Sequence, residues 1–102
     1  MVPVIKENMD EIVKLCRQNN VARLELFGSA ADKERFDTSK SDLDFLIEFQ
    51  PDCINNKNDY FGMLFGLEDL LCKKIDLVMN RAIKNRFFRQ AIEQNKELVY
   101  AT

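Results

Sequence analysis

The spacing of apolar residues changes period along the chain, and each change marks an element. Over residues 5–20, Ile5, Met9, Ile12, Val13 and Cys16 recur at the three-and-four spacing of a helix with one apolar face. Asn19-Asn20 predicts its end. Residues 21–27 (VARLELF) set Leu24 and Leu26 against Arg23 and Glu25, which is the alternation of a strand. Gly28 breaks that strand. Ser29 then suits the N-cap of a short helix, with Asp32 at its third position. Residues 36–40 predict a loop. The strongest strand signal covers 43–49, where Leu43, Phe45, Ile47 and Phe49 alternate with Asp44, Leu46 and Glu48. A polar loop over 51–58 leads to a predicted helix over 59–72, its half-buried face carrying Phe61, Leu64, Phe65, Leu67 and Leu71. A short strand over 74–79 and a second amphipathic helix over 82–94, basic on its outer face, follow. Val99-Tyr100 predicts a last short strand or turn. Strands alternating with helices imply an α/β (α+β) fold, a small mixed β-sheet flanked by helices.

Composition narrows the chemistry. A chain of 102 residues, 46% of them apolar, suits one domain spanning 1–102 with a real core. No repeat, linker or low-complexity segment interrupts it. A net charge of −2 lacks the basic footprint of a nucleic-acid binder, so direct nucleic-acid binding is not expected. There is no histidine, which excludes imidazole metal ligands, Ser-His or Cys-His nucleophiles and imidazole acid–base catalysis. Cys16, Cys53 and Cys72 are odd in number and scattered, which predicts reduced thiols in a cytoplasmic protein. No apolar run approaches the roughly 18 residues of a membrane span, and the acid-bearing N-terminus has no signal-peptide core.

Three features remain as candidate chemistry. Gly28-Ser29 stands between a strand and a helix start, where a missing Cβ and unpaired N–H groups suit a phosphate; a plain strand-to-helix turn also uses glycine. Asp42 and Asp44 stand two apart, so on an extended chain both carboxylates share one face. Such a pair repels unless a cation intervenes, and hard oxygen donors suit Mg²⁺ together with substrate phosphates; the bland reading is the wet side of an edge strand. Asp76 is a lone acid within the apolar run 74–79. It joins the pair if its strand neighbours 43–49, and otherwise faces water beside Lys73 or Lys74.

In this order these residues resemble the DNA polymerase beta-like nucleotidyltransferase superfamily, and within it the minimal nucleotidyltransferases (MNT domains) of MntA-like antitoxin type. The resemblance rests on Leu26-Phe27-Gly28-Ser29-Ala30-Ala31, on Ser41-Asp42-Leu43-Asp44 with its apolar strand, and on Ile75-Asp76-Leu77-Val78. It covers essentially the whole chain and implies the nucleotidyltransferase fold. It also implies residue roles. Gly28 and Ser29 would bind the β- and γ-phosphates of ATP. Asp42 and Asp44 would ligate two Mg²⁺ ions, and Asp76 would complete one metal site and help activate the attacking hydroxyl. One departure is plain: Asp32-Lys33 stands where many members carry Arg-Gly. An acid there competes with phosphate for the same positive potential, and Lys33, Arg35 or Lys40 is expected to compensate.

The resemblance further implies an acceptor outside the chain. In HEPN/MNT toxin–antitoxin pairs the MNT protein transfers AMP from ATP to a tyrosine of the HEPN toxin. The alternative is a catalytically weak module that neutralises its partner by contact. Transfer to a small molecule ranks last, because the chain is short for such a pocket. A small chain with an open sheet is also expected to bind another subunit, a copy of itself included. Residues 81–89 (RAIKNRFFR) read as a solvated basic helix face over a Phe-anchored core rather than as a contact for an acidic partner or RNA, and Tyr60 and Tyr100 as packing residues with a wet hydroxyl. Cys16 and Cys72 read as core, Cys53 as a loop thiol, and the eight phenylalanines as mostly core; Phe27, directly before Gly28, could line a nucleotide pocket but reads first as core packing.

Overall fold

Two asparagines end the first helical stretch and turn the chain into its sheet. Asn20 takes a left-handed conformation (φ 58°), which its short side chain tolerates, and its carbonyl accepts from the Gln50 amide at 2.8 Å. The computed structural model describes residues 3–28, 42–53 and 56–102. Among these the helices are α1 (Pro3–Glu7), α2 (Met9–Gln18), α3 (Lys57–Leu71) and α4 (Arg86–Asn95). The strands are β1 (Val21–Phe27), β2 (Leu43–Phe49), β3 (Ile75–Met79) and β4 (Glu97–Ala101).

The strands form one mixed sheet in the order β3-β2-β1-β4. β1 runs antiparallel to both β2 and β4, and β2 runs parallel to β3. The alternation along β2 divides the two faces. Leu43, Phe45, Ile47 and Phe49 point into the main core with Leu24 and Leu26 of β1, Ile12 and Cys16 of α2, and Met63, Leu67 and Leu71 of α3. Leu46 points the other way, into a smaller cluster with Phe27, Ile83 and Ile92, against which Val78 packs. Ile92 brings α4 across this second face. The sheet is thus flanked by helices on both sides, the arrangement expected for an α+β chain.

Several boundaries differ from the sequence expectation, each for a local reason. The helix expected over 5–20 breaks at Asn8, whose side-chain amide donates to the Val4 carbonyl at 2.8 Å and so competes with helical continuation. α3 starts two residues early because Asn56 caps it, accepting from the amides of Asn58 and Asp59. α4 starts at Arg86 rather than at residue 82: Asn80–Ala82 form a single 3₁₀ turn, and Asn85 caps the helix by accepting from the amides of Phe87 and Phe88. Val99-Tyr100 belongs to a full strand, with Leu24 paired to Tyr100. The short helix at Ser29 and the loop over 36–40 lie outside the described residues.

Two core assignments are corrected. Cys72 is exposed, because it stands one residue beyond α3 as its left-handed C-cap (φ 54°) rather than on the helix face. The phenylalanines are not mostly core. Phe27, Phe45 and Phe49 are buried, but Phe61, Phe65, Phe87 and Phe88 are 45–69% exposed. On α3 the stripe Met63–Leu67–Leu71 already fills the contact with the sheet, and Phe61 and Phe65 stack on each other outside it, 5.8 Å apart. Cys16 is buried as expected, and burial pushes its thiol up to about 12. Among the described residues no helix is long and apolar enough to cross a membrane.

Candidate active site

The third strand does neighbour the second, and the register sets their acids side by side. Asp44 pairs with Asp76 across the parallel β2–β3 ladder. Paired residues of adjacent strands carry their side chains on one face, with the strands about 4.8 Å apart. Asp44 also faces Phe27 across the antiparallel β1–β2 ladder, so both acids lie on the α4 face, at the end where β1 leaves the sheet and β2 enters it. Asp42 stands just before β2 and is exposed. Its charge reaches Asp44. Burial is the largest influence on the half-buried Asp44 carboxyl, followed by the charges of Asp76 and then Asp42, and all three raise its pKa above the ordinary carboxylate value.

Gly28 closes the site from the side of β1. Its φ is +74°, a region that suits residues without a Cβ. A Cβ built there would also collide with the Asp44 carboxylate, lying 3.3 Å from its Cγ even before the nearer Oδ2 is considered. The glycine is therefore needed twice, for the backbone turn and for the carboxylate packed against it. Ser29, Lys33 and Lys40, together with Asp32 and Arg35, lie outside the described residues.

The remainder of this face is filled and satisfied. Ile92 of α4 sits over Leu46 and Phe27, and the Phe88 ring meets Phe27 edge-on, centroids 6.3 Å apart. Beyond them Glu25, 5% exposed, is paired with Lys96 at 3.1 Å and with Arg23 at 3.2 Å. The Arg89 guanidinium donates to Asn80 Oδ1 at 2.9 Å and to the carbonyls of Asn80 and Ile83 at 3.0 Å, while the Asn80 amide donates to Glu48. This network ties α4 to the turn after β3 and so fixes where α4 crosses the sheet. A depression of about 490 Å³ around Phe49, Met79 and Arg81 lies at the opposite end of β2 and β3, away from the aspartates.

Tyr60 is committed elsewhere. Its hydroxyl donates to the Leu77 carbonyl at 2.6 Å, and burial, followed by the nearby Asp76 charge, raises its pKa. A hydroxyl held protonated as a donor is a poor nucleophile. Tyr60→Phe is expected to lower stability by about 1 kcal/mol, the usual net value of one such bond, with transfer activity unchanged. Urea unfolding and an activity assay of the same variant check both halves.

The donor set has the chemistry that suits a hard divalent cation: carboxylate oxygens whose mutual repulsion such a charge would relieve. Among the described residues, however, no three acidic or cysteine side chains are gathered closely enough to hold an ion by themselves. Further oxygens would have to come from elsewhere.

A paired Asp44–Asp76 beside a left-handed Gly28 gives the site its geometry, and comparison with known proteins gives it a family. The family described as polymerase beta, nucleotidyltransferase matches residues 10–102. The chain belongs to the polymerase beta nucleotidyltransferase family. It is 36% identical over 99 residues to a Methanocaldococcus jannaschii protein named "Putative protein adenylyltransferase MJ0128", covering 94% of this chain and 93% of that one. Membership and this kinship make the chain a transferase. Among solved structures, one described as "putative minimal nucleotidyltransferase" superposes with a TM-score of 0.73 at 25% identity, covering 90% of this chain and 89% of the other. A chain of a toxin–antitoxin crystal structure with AMP-PNP gives 0.69 at 22% identity, covering 93% and 74%. A chain of a complex between a tri-AMPylated Shewanella oneidensis HEPN toxin and an MNT antitoxin gives 0.65 at 20%, covering 96% and 73%. The last two establish likeness of fold.

Sequence reasoning placed the acids and the glycine. It counted Phe88 among the core phenylalanines, and so missed its half-exposed place against Phe27 and the Arg89–Asn80–Glu48 network that holds α4 in place. The available signal was the four-residue spacing of Phe88 and Ile92, which puts both on one helical face.

Proposed function

We propose that this nucleotidyltransferase moves the adenylyl group of ATP, with Mg²⁺, onto a tyrosine hydroxyl of a HEPN-domain partner, and so acts as the antitoxin of a pair. The observation that carries the reading is the Asp44–Asp76 pair beside Gly28, within the fold of this family. The name of the M. jannaschii relative and the complexes formed by the structural neighbours support the direction.

Each residue then has a task. Gly28 leaves room for phosphate oxygens, and Ser29, Lys33 and Lys40 contribute a hydroxyl and two cations to the β- and γ-phosphates. Asp42, Asp44 and Asp76 would hold the Mg²⁺ ions, with phosphate oxygens supplying further donors, since among the described residues no three acids gather closely enough to do so alone. Bound Mg²⁺ would supply charge neutralisation for the reacting phosphoryl group. The acceptor oxygen bonds to the α-phosphorus, the bond from that phosphorus to the bridging oxygen breaks, pyrophosphate leaves, and Asp76 takes the hydroxyl proton. With no histidine in the chain, a carboxylate is the base available for that step.

Incubating the protein with its cognate HEPN-domain partner, ATP and Mg²⁺ should raise the partner's intact mass by whole adenylyl groups located on tyrosine. Omitting Mg²⁺ should abolish the change. An unaltered partner mass in the full mixture sinks the proposal. It would leave the contact-only reading, which the acid at Asp32 motivates and in which Asp42→Asn still neutralises the partner.

A further inference from the structure

One ring away from the aspartates on the α4 face, an apolar side chain is partly uncovered. Phe27 is buried and faces Asp44 across the ladder, so its ring stands beside the carboxylates. Phe88 meets that ring edge-on, yet 45% of Phe88 remains exposed. Its place is fixed from two directions. Asn85 caps α4 and accepts from the Phe88 amide itself, and Ile92, one turn further along, anchors the same helical face to Leu46 and Phe27. The result is an aromatic surface at the rim of the acidic site, one ring beyond Phe27. Its neighbour Phe87 differs. It is the more exposed of the two, at 69%, and its only ring partner among the described residues is Arg86 of the same helix, with the guanidinium 5.3 Å from the ring centroid. Phe87 is not placed against the sheet.

Ile92 is the α4 residue buried in the small core, while Phe88 covers Phe27 with one edge and leaves nearly half of itself uncovered. A flat apolar ring beside a phosphate-and-metal site suits the remaining part of a nucleotide. Every nucleobase has a π-face, and stacking on an aromatic side chain is tolerant of base identity. We infer that Phe88 is the platform on which the base of the nucleoside triphosphate stacks, with Phe27 holding it in place. This rests on the transferase reading above and deepens it. Phe88 is a binding residue that separates a nucleoside triphosphate from a bare polyphosphate. It reads the presence and area of a base rather than its hydrogen-bonding edge, so purines are held more tightly than pyrimidines.

The test is a calorimetric titration of Mg·ATP, and separately of Mg·tripolyphosphate, into the wild type and into Phe88→Ala, Phe88→Leu, Phe88→Tyr and Phe87→Ala. Thermal melting of each variant accompanies it. Phe88→Ala is expected to weaken ATP about tenfold, within the range for loss of one base–aromatic stack, and to leave tripolyphosphate unchanged. Phe88→Tyr keeps the ring and should retain ATP affinity. Phe88→Leu keeps apolar bulk without a π-face and should resemble Phe88→Ala. Phe87→Ala should bind as wild type. ATP affinity unchanged in Phe88→Ala overturns the inference alone, and so does an equal loss for both ligands, which would mark a structural effect on the phosphate site. A wild type that binds neither ligand overturns the transferase reading and this inference together.

Discussion

Asp44→Asn is expected to lower adenylyl transfer by about a thousandfold, or roughly 4 kcal/mol of lost transition-state stabilisation, while raising the melting temperature of the ligand-free protein. The two effects share one cause. Asp44 is brought into register with Asp76 and within reach of Asp42. Burial and those two charges make its ionised form costlier in the folded chain than in the unfolded one. A carboxyl whose folded pKa is raised weakens the fold wherever it is charged, and the penalty is relieved as pH falls through that raised pKa. Above that raised pKa the wild type carries the penalty. The asparagine keeps the shape, removes one of three like charges, and recovers it. The site is half open, so screening limits the gain to a fraction of a kcal/mol, or about 1–3 °C. Scanning calorimetry without ligand and a partner-labelling assay measure the two halves. A variant that melts lower than wild type, or keeps its transfer rate, removes Asp44 from the proposed role. Added Mg·ATP provides a cross-check, because a ligand bound only by the folded state raises the wild-type melting point and should scarcely move that of Asp44→Asn.

That stability cost was half visible in the sequence. Two acids at the head of a strand as apolar as residues 43–49 contradict local propensity, and such contradictions tend to mark functional sites. The alternation itself assigned Leu43, Phe45 and Ile47 to the core, because period two leaves no other way to bury that face. Pairing of Asp76 with Asp44 was beyond the sequence, since strand order depends on how α3 crosses from β2 to β3, and no local pattern encodes it. Exposure of Phe61, Phe65, Phe87 and Phe88 was beyond it for another reason. Helical spacing shows that a residue shares a face with its fourth neighbour, but not how wide a strip the sheet can cover. On α3 the sheet accepts Met63, Leu67 and Leu71, and on α4 it accepts Ile92. Asn8, Asn56 and Asn85 moved the helix boundaries by side-chain hydrogen bonds that compete with or cap the helical ladder.

Gly28→Ala is expected to cost about 2 kcal/mol of stability and to lower transfer about a hundredfold. Two penalties act at one atom. The left-handed backbone at φ +74° charges a Cβ roughly 1–2 kcal/mol, and the same Cβ meets the Asp44 carboxylate. To make room the Asp44 carboxylate must turn away from its place, and a catalytic group displaced by about 1 Å commonly costs a hundredfold in rate. The melting temperature should fall by roughly 10 °C for a chain of this size. Gly66→Ala is the informative control. A Cβ on Gly66 meets only the end of the Leu15 side chain, Cδ2 at 2.7 Å, and its backbone is ordinary helix. There the roughly 1 kcal/mol gained in helix propensity offsets the rearrangement of Leu15, so activity should persist and stability change little. The two penalties at Gly28 separate in a double-mutant cycle. In an Asp44→Ala background the collision with the carboxylate is gone and only the backbone term remains, so Gly28→Ala should cost less there than in the wild type. Equal costs in both backgrounds would mean that the carboxylate does not press on Gly28, and the glycine would then serve the turn alone.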